Sequence, residues 1–467
     1  MTSPRDPIDD WLATDVAPLS PPPGSLAHIR QRARRRKTRQ ATFAAAGCAV
    51  ILAAGIATPQ LISALREPGH HSPPIAIGST APSVRHTQGR NTPTPEASKH
   101  TQIRQHTHLS TTTSGTLPPP NFQVTSVTFA GNGSGGVVGA VIGQAGTPGH
   151  CATKFCTSLA GTSTYGSSWY GVSAPLEPGP SGSLGVSQLR FANMSDGWAY
   201  GPALSETSNG GWPWHREDTY GQRVIDLEAA PTRAFAVFGT CSGTGLNYAT
   251  GCTSYSLWTS LPGTRTWTQV SVPAADQQML STSSAAPLLV ISGDSTGYLL
   301  TPSGEVLSGP ATAAGGRWTA VGAASCKPAS AATSGQAAQL AAGPKLVLAC
   351  DTASSGGRFA AVIYTSANGA TWQQAGSVVM KGTPTSLASA VSGQVVLATT
   401  AGIEYSADGG KSWRSASFTG AHPAGGFSYV GMTDKDQGVA VPEDLTLGEV
   451  YVTSDGGKIW QPSPITG

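Results

Sequence analysis

The sequence predicts an all-β protein: a seven-bladed β-propeller, preceded by a single transmembrane helix and a disordered linker. Three observations carry that prediction. A turn phrase ending in tryptophan returns at near-constant intervals through the C-terminal three-quarters of the chain. Short β-like runs, four to an interval, fill the space between phrases. Upstream, a charge-free apolar stretch follows directly on a run of arginines.

Composition agrees with the first two. Among 467 residues there are 58 glycines and 35 prolines, and only 11% are charged. Such a chain is poor in helix formers and rich in turn residues, which favours many short strands. The formal charge of +3 hides an asymmetry. Residues 1–65 carry a surplus of four positive charges, residues 66–120 a surplus of three, and the remainder is four negative. A nucleic-acid-binding domain clusters Lys and Arg against phosphates. The bulk of this chain has the opposite sign, so no nucleic-acid partner is expected.

In chain order, residues 1–40 form a basic cytoplasmic tail that ends in HIRQRARRRKTRQ. Residues 41–65, ATFAAAGCAVILAAGIATPQLISAL, contain no charge. About 20 apolar helical residues cross a bilayer core of ~30 Å, so a transmembrane signal anchor is expected here, with Pro59 as a kink point. Basic residues on its N-terminal side place the tail in the cytoplasm and the rest of the chain outside a cell membrane crossed once. Gly55-Ile56-Ala57 has the small-x-small form of a cleavage site, but the long segment before it suits an uncleaved anchor better. Residues 66–120, rich in Pro, Thr and Ser, cannot bury enough apolar surface to offset their ordering entropy and read as a disordered linker. Six of the ten histidines lie there, His100, His106 and His108 among them, and read as solvated side chains.

Cysteine usage fits export. Cys48 lies in the apolar segment, and the other six fall as near neighbours: Cys151 and Cys156, Cys241 and Cys252, Cys326 and Cys350. An even set outside a membrane reads as disulfides. Fifteen pairings are open to six cysteines, and the nearest-neighbour scheme is the simplest. Cys-x4-Cys beside His150 lacks a second ligand pair, so no metal and no cofactor are expected.

The propeller domain spans residues 121–467. YSADGGKSW (405–413) and YVTSDGGKIW (451–460) are the clearest copies of the phrase. Aligned on their tryptophans, the copies place Trp169, Trp214, Trp267, Trp318, Trp372, Trp413 and Trp460 at separations of 45, 53, 51, 54, 41 and 47 residues. A period of about 40 to 55 residues is that of a propeller blade. Each interval holds four β-like runs divided by Gly, Pro, Asn and Asp, the pattern of a four-stranded antiparallel sheet.

The phrase has a mechanical reading. Between third and fourth strands the chain reverses tightly, and Asp408 and Asp455 can accept hydrogen bonds from backbone N–H groups of their own turn. Gly409, Gly410, Gly456 and Gly457 permit positive φ, Ser406 and Thr453 tie down the start, and the tryptophans act as apolar plugs between strand layers. Several copies lack the acid (Asn209, Ala367 and Pro262 stand there), yet all seven keep the tryptophan. A catalytic carboxylate is not repeated around a ring, so these residues are expected to be structural and no catalytic residue is assigned.

S/T-x-D-x-G-x-x-W resembles the Asp-box, or BNR, repeat of sialidase-like propellers. With Gly197-Trp198-Ala199-Tyr200-Gly201 ahead of TSNGGWPW, the blade grammar is similar to photosystem II assembly factor propellers and their bacterial relatives. The resemblance implies the fold for residues 121–467 and leaves activity open. A sialidase needs three arginines on a substrate carboxylate, a tyrosine with an acidic partner and an acid catalyst. That family also carries a Phe/Tyr-Arg-Ile-Pro motif, whereas Leu189-Arg190-Phe191 has neither its order nor its proline. Arg265, Arg317 and Arg414 sit in or beside turn phrases, leaving Arg190, Arg216, Arg223, Arg233 and Arg358.

The expected function is therefore a membrane-anchored extracytoplasmic scaffold that binds a protein or a cell-envelope glycan without catalysis. The alternatives are a sialidase-like glycoside hydrolase and a transmembrane sensor signalling through the short tail, with Trp11 and Leu12 as anchors. Trp198, Trp212, Trp258 and Trp214-His215-Arg216-Glu217 are candidates for an aromatic ligand site, weighed against packing between blades. Asp434, Asp436, Glu443 and Asp444 read as loop caps, with an oxygen-ligated cation as the alternative.

Overall fold

The computed structural model describes residues 117–131, 137–145, 156–175, 185–211, 213–293, 295–326, 338–355 and 358–466. The expected tail, the apolar segment 41–65 and nearly all of the linker lie outside them. Among the described residues no helix is long and apolar enough to cross a membrane.

Seven sheets follow one another along the chain, six four-stranded and the last five-stranded, each built on four strands in sequence order. Blade 1 comprises Gln123–Gly131, Val137–Ala145, Cys156–Thr162 and Tyr170–Val172; blade 2 comprises Gln188–Phe191, Gly197–Tyr200, Leu204–Thr207 and His215–Arg216. Blade 3 comprises Arg223–Ala230, Arg233–Cys241, Cys252–Ser260 and Thr268–Gln269; blade 4 comprises Leu288–Ser292, Thr296–Leu300, Glu305–Pro310 and Thr319–Ala323. Blade 5 comprises Ala338–Ala342, Leu346–Ser355, Arg358–Ser366 and Gln373–Lys381; blade 6 comprises Pro384–Ser389, Val395–Thr399, Gly402–Ser406 and Arg414–Ser415. Blade 7 comprises Phe427–Met432, Gly438–Pro442, Glu449–Thr453 and Ile459–Pro464, and Ser417–Phe418 adds a short fifth strand, parallel to its outer edge.

First strands contact one another in succession from blade 1 to blade 7, and that of blade 1 meets the second strand of blade 7. The ring is thus closed, and the seven blades match the tryptophan count. Among the described residues no strand is exchanged across the junction, and side chains hold it. Phe122, Val124, Val127 and Val141 share one core with Val439, Val441, Val450, Val452 and Ile465. Trp169 Nε1 donates to Ser463 Oγ at 2.9 Å, and the Tyr165 hydroxyl donates to Gly438 O at 3.0 Å.

The hydrophobic core is divided accordingly. Seven buried clusters each join two adjacent blades, one per interface. Every phrase tryptophan enters the cluster shared with the preceding blade: Trp169 with blade 7, Trp267 with blade 2, Trp318 with blade 3 and Trp460 with blade 6. Trp214, Trp372 and Trp413 pack half-buried against the corresponding clusters of blades 1, 4 and 5. A blade is apolar on both faces and has no core of its own, so one indole per interface supplies the bulk that keys each sheet to its neighbour. That explains why the tryptophan outlasts the rest of the phrase.

The meander also sorts the loops. First-to-second and third-to-fourth connections lie at one end of every blade, together with the turn phrases. Second-to-third and blade-to-blade connections lie at the other end. The longer connections gather at that second end: 242–251, 270–287 with the helix Ala274–Leu280, and 443–448 with the 3₁₀ turn Leu445–Leu447. Cys241 and Cys252 are bridged across the base of the first, and Cys326 is bridged to Cys350. The side chains of Cys151 and Cys156 lie outside the described residues.

Candidate functional site

The turn phrases hold most of the residues singled out in the sequence. Asp408 Oδ1 accepts from the Lys411 and Ser412 N–H groups at 3.1 and 2.9 Å and from the Ser406 hydroxyl at 2.8 Å. Its Oδ2 accepts from the Ser412 hydroxyl at 2.6 Å. Ser406 Oγ in turn accepts from Gly410 N at 2.8 Å, and Trp413 Nε1 donates to Gly410 O at 3.0 Å. Thr453, Asp455, Gly457 and Trp460 repeat the arrangement in blade 7, with Asp455 Oδ1 3.0 Å from both Lys458 N and Ile459 N. The paired glycines have φ of 76° and 89° in blade 6 and 79° and 90° in blade 7, conformations that exclude ordinary side chains. The Ser412 hydroxyl and its N–H, followed by Ser406 and Lys411, hold the Asp408 carboxyl down at about 2. These carboxylates are consumed by their own turns.

In blade 5 the register differs from the sequence alignment. Ser366, not Thr365, accepts from the turn (Gly369 N, 2.9 Å), and Asn368 Oδ1 takes the acid's place by accepting from Ala370 N at 3.0 Å. Ala367 is therefore not the acid-equivalent position. The turn is one residue shorter, which alignment on tryptophan alone cannot register.

In blades 3 and 4, whose turns have lost the acid, the preceding blade supplies a polar side chain. Blade 3 has Pro262 at that position, and Glu206 Oε1 of blade 2 accepts from Gly263 N at 2.6 Å. Glu217 of the same blade pairs with Arg265 Nε at 3.1 Å. In blade 4, whose phrase is Ala311–Trp318, Arg233 of blade 3 donates to Thr312 O and Ala313 O at 2.7 and 2.8 Å, and Thr232 to Ala311 O at 3.0 Å.

Glu206 is 1% exposed, and its Oε2 finds no partner among the described residues. Burial pushes its pKa from 4.5 up to about 7, against the pull of the Gly263 N–H, with Glu217 adding to the rise. A carboxyl that binds its proton more tightly when folded contributes stability below the unfolded pKa and loses it as pH rises through the folded one. The expected consequence is a fall in stability between pH 4.5 and 7, to which one such group contributes about 1.4 kcal/mol per pH unit. Glu206→Gln removes that contribution, and melting curves at half-unit pH intervals check it. A residual slope of the same sign remains, because burial also raises Glu228 to about 7 and Asp351 to about 6.

The second candidate site lies on the axis. Arg190 and Glu228 directly follow Leu189 and Leu227, the buried residues of their first strands. Corresponding positions in blades 1, 4, 6 and 7 hold Thr128, Val290, Ala388 and Gly431, so blades 2 and 3 stand out from these in carrying charge there. Arg190 Nη2 donates to Glu228 Oε1 at 2.9 Å, Nε donates to Leu227 O at 3.1 Å, and Nη1 lies 3.5 Å from the Tyr429 hydroxyl. A blade 2 residue that touches both blade 3 and blade 7 sits in the space the first strands enclose. The paired side chains are 19% and 25% exposed. Asp226 Oδ2 accepts from Leu289 N of blade 4 at 3.3 Å. Burial raises both carboxyls while Arg190 opposes the rise. Burial disfavours the guanidinium charge too, but Glu228, Tyr429 and Tyr200 together hold it protonated.

Above this cluster the disulfide-closed loop 242–251 turns back toward blade 2. Tyr248 is buried beside the backbone of Gly201, and Arg223 Nη1 donates to Tyr248 O at 3.0 Å and also to Gly243 O. Sequence reasoning missed the axial group because it counted arginines singly. The available signal was a charged residue directly after the buried leucine in QLRF and DLEA.

The remaining candidates are scattered. Trp198 is buried at the interface of blades 2 and 3, Trp258 is half-buried there, Trp214 Nε1 donates to Ser173 O at 2.8 Å, and Trp212 lies outside the described residues. Asp434 Oδ1 caps the turn at Asp436 and Gln437 (2.8 and 2.7 Å), while Asp444 Oδ1 caps Thr446 N at 3.0 Å. Those two loops lie at opposite ends of blade 7, and no group of three metal-ligand side chains occurs among the described residues. A cleft between blades 1 and 2, lined by Tyr170, Phe191 and Met194, holds about 60 Å³, well below the ~300 Å³ of a small-molecule pocket.

No family model and no curated protein matches the chain. Among solved structures, YCF48 from Cyanidioschyzon merolae is similar at 15% identity and a TM-score of 0.40, over 59% of this chain and 84% of that one. YCF48 bound to D1 peptide is similar at 16% identity and 0.36, over 59% and 80%. An ancestral GH74 enzyme is similar at 14% and 0.44, over 75% of this chain and 48% of its own. Likeness at this level concerns the fold and carries nothing about activity.

Proposed function

We propose that the chain is a membrane-tethered extracytoplasmic propeller, built on Asp-box turns, that binds an envelope protein or glycan on the end opposite those turns and performs no catalysis. The observation that carries this reading is the asymmetry of the two ends. At the turn end Asp408, Asp455, Glu206 and Arg233 are spent on backbone groups of the blades, and Arg265 on the Glu217 carboxylate. The opposite end bears the long connections, braced by Cys241–Cys252 and Cys326–Cys350, with Leu246 and Leu447 41% and 42% exposed. Binding residues concentrate on loops held by a rigid scaffold.

The arginines favour a binder over a sialidase-like hydrolase. Arg190 is paired on the axis, Arg233 and Arg265 serve the turn end, and Arg223 holds loop carbonyls. These four arginines of the described residues serve separate partners and form no triad on one carboxylate. The tether rests on the basic run followed by the charge-free segment 41–65, and the external location on that order and on the disulfides.

Photo-cross-linking residues placed singly at Leu246, Leu447 and Val391 of the full-length chain in its membrane test the assignment. Val391 is 72% exposed on the turn end. Adducts are expected from Leu246 and Leu447 and not from Val391; adducts from Val391 alone would overturn the choice of face.

A further inference from the structure

Blade 2 is cut short: its third strand has four residues and its outer strand two, against nine in the third strand of blade 3. Trp258 of that longer strand is covered instead by Tyr220, from the connector 217–222. The two rings stack at 4.6 Å and 15°, and Phe238, fully buried, lies on Trp258 at 5.2 Å and 23°. Three aromatic rings thus run from core to solvent. Tyr220 is 52% exposed, and with one face on Trp258 its other face is the wet one.

The outermost ring is fixed in place. Its hydroxyl donates to Trp267 O at 3.2 Å and its backbone N–H to Asp218 Oδ1 at 2.7 Å. Its φ is 53°, the left-handed region that a bulky residue seldom adopts. Gly221 (φ 74°) follows it, so a reversal alone would be met by Asn or Gly at 220. A tyrosine held there at conformational cost presents a flat aromatic surface.

We propose that Tyr220 is the stacking platform of a saccharide subsite on the flank between blades 2 and 3, selective for neutral pyranosides. The inference rests on the binding-scaffold reading and names the ligand class of its glycan branch. The π face of an aromatic ring is electron-rich and complements the C–H face of a pyranose, whose carbons are polarised positive. The ring's equatorial hydroxyls then need acceptors at the edge, and the exposed Asp218 carboxylate is one. Glu217, buried and paired with Arg265, lies beside it, so the exposed Asp218 carboxylate, which already accepts from Tyr220 N–H, is the charge set against the ring's edge. That charge disfavours sugars bearing a carboxylate or sulfate.

Titration of the full-length protein with triacetylchitotriose, maltotriose and 3′-sialyllactose, followed by tryptophan fluorescence, tests this. A saturable change is expected with at least one neutral trisaccharide at millimolar concentration, and none with sialyllactose. Tyr220→Asn keeps the left-handed turn and removes the platform, and should weaken binding at least about tenfold. Tyr220→Phe keeps the face, loses only the bond to Trp267 O, and should stay within about threefold of wild type. Unchanged melting temperatures confirm that both variants are folded.

Flat titrations with both neutral sugars overturn the proposal, as does unchanged binding in Tyr220→Asn or a preference for sialyllactose. So does saturable binding of a proline-rich peptide in place of the sugars. If cross-links form at Leu246 and Leu447 while the titrations stay flat, the subsite falls and the scaffold reading stands.

Discussion

Replacing Trp460 with alanine lowers the unfolding free energy by about 3–5 kcal/mol, while the same change at Trp413 costs about 1–2 kcal/mol. The two residues end turns with nearly the same hydrogen bonds, including an indole N–H donated to the second glycine's carbonyl at 3.0 Å. What differs is burial. Trp460 is 0% exposed and packs with Val396, Phe427 and Tyr451 between blades 6 and 7. Trp413 only flanks the cluster between blades 5 and 6. Deleting the first leaves a cavity in a keyed interface, and the backbone on both sides is already held by ladder hydrogen bonds and cannot collapse into it. Deleting the second exposes surface that water already half reaches. Chemical denaturation of both variants, followed by the fluorescence of the remaining tryptophans, measures the difference. Equal losses would mean that the turn, and not the interface, is what these residues stabilise.

That difference marks how much of the molecule was legible in the sequence. Asp408-Gly409-Gly410 and Asp455-Gly456-Gly457 could be read directly, because positive φ at two successive residues and two N–H donors plus a hydroxyl on one carboxylate leave few other residue choices. The decayed copies were traceable only by their tryptophans, and in blade 5 that cost one position, Asn368 serving where alignment placed Ala367. Glu206 and Arg233 were opaque for another reason. Each steadies a turn of the next blade 57 or 79 residues away, a contact between blades that local pattern does not encode. Tyr220 was equally hidden, since its partner Trp258 lies on another blade's strand and the short blade 2 that exposes it is a matter of strand length. The bridges Cys241–Cys252 and Cys326–Cys350 follow the nearest-neighbour scheme, the first because both residues face each other across one hairpin.

Arg190→Met is expected to destabilise the protein by about 3 kcal/mol at pH 8 and by no more than about 1 kcal/mol at pH 5. At pH 8 the wild-type Glu228 is ionised and its charge is met by the guanidinium at 2.9 Å. Without Arg190, the carboxyls of Glu228 and Asp226 lose the cation that opposes their burial, and either one of them stays buried and unpaired or it takes up a proton. Both routes cost free energy that grows with pH, because the folded pKa values, already raised by burial, rise further when the opposing cation is gone. At pH 5 Glu228 holds its proton, and the remaining loss is chiefly the hydrogen bond to Leu227 O and the packing of the stem. The sign is therefore fixed: from pH 5 to 8 the variant loses stability more steeply than wild type. Adding Glu228→Gln to Arg190→Met should return most of the pH 8 deficit, since the second change removes the charge the first one stranded. A loss of equal size at both pH values, or a double variant no better than the single one, would show Arg190 to be a strut between blades 2 and 3 and not the counter-ion of an axial carboxylate pair.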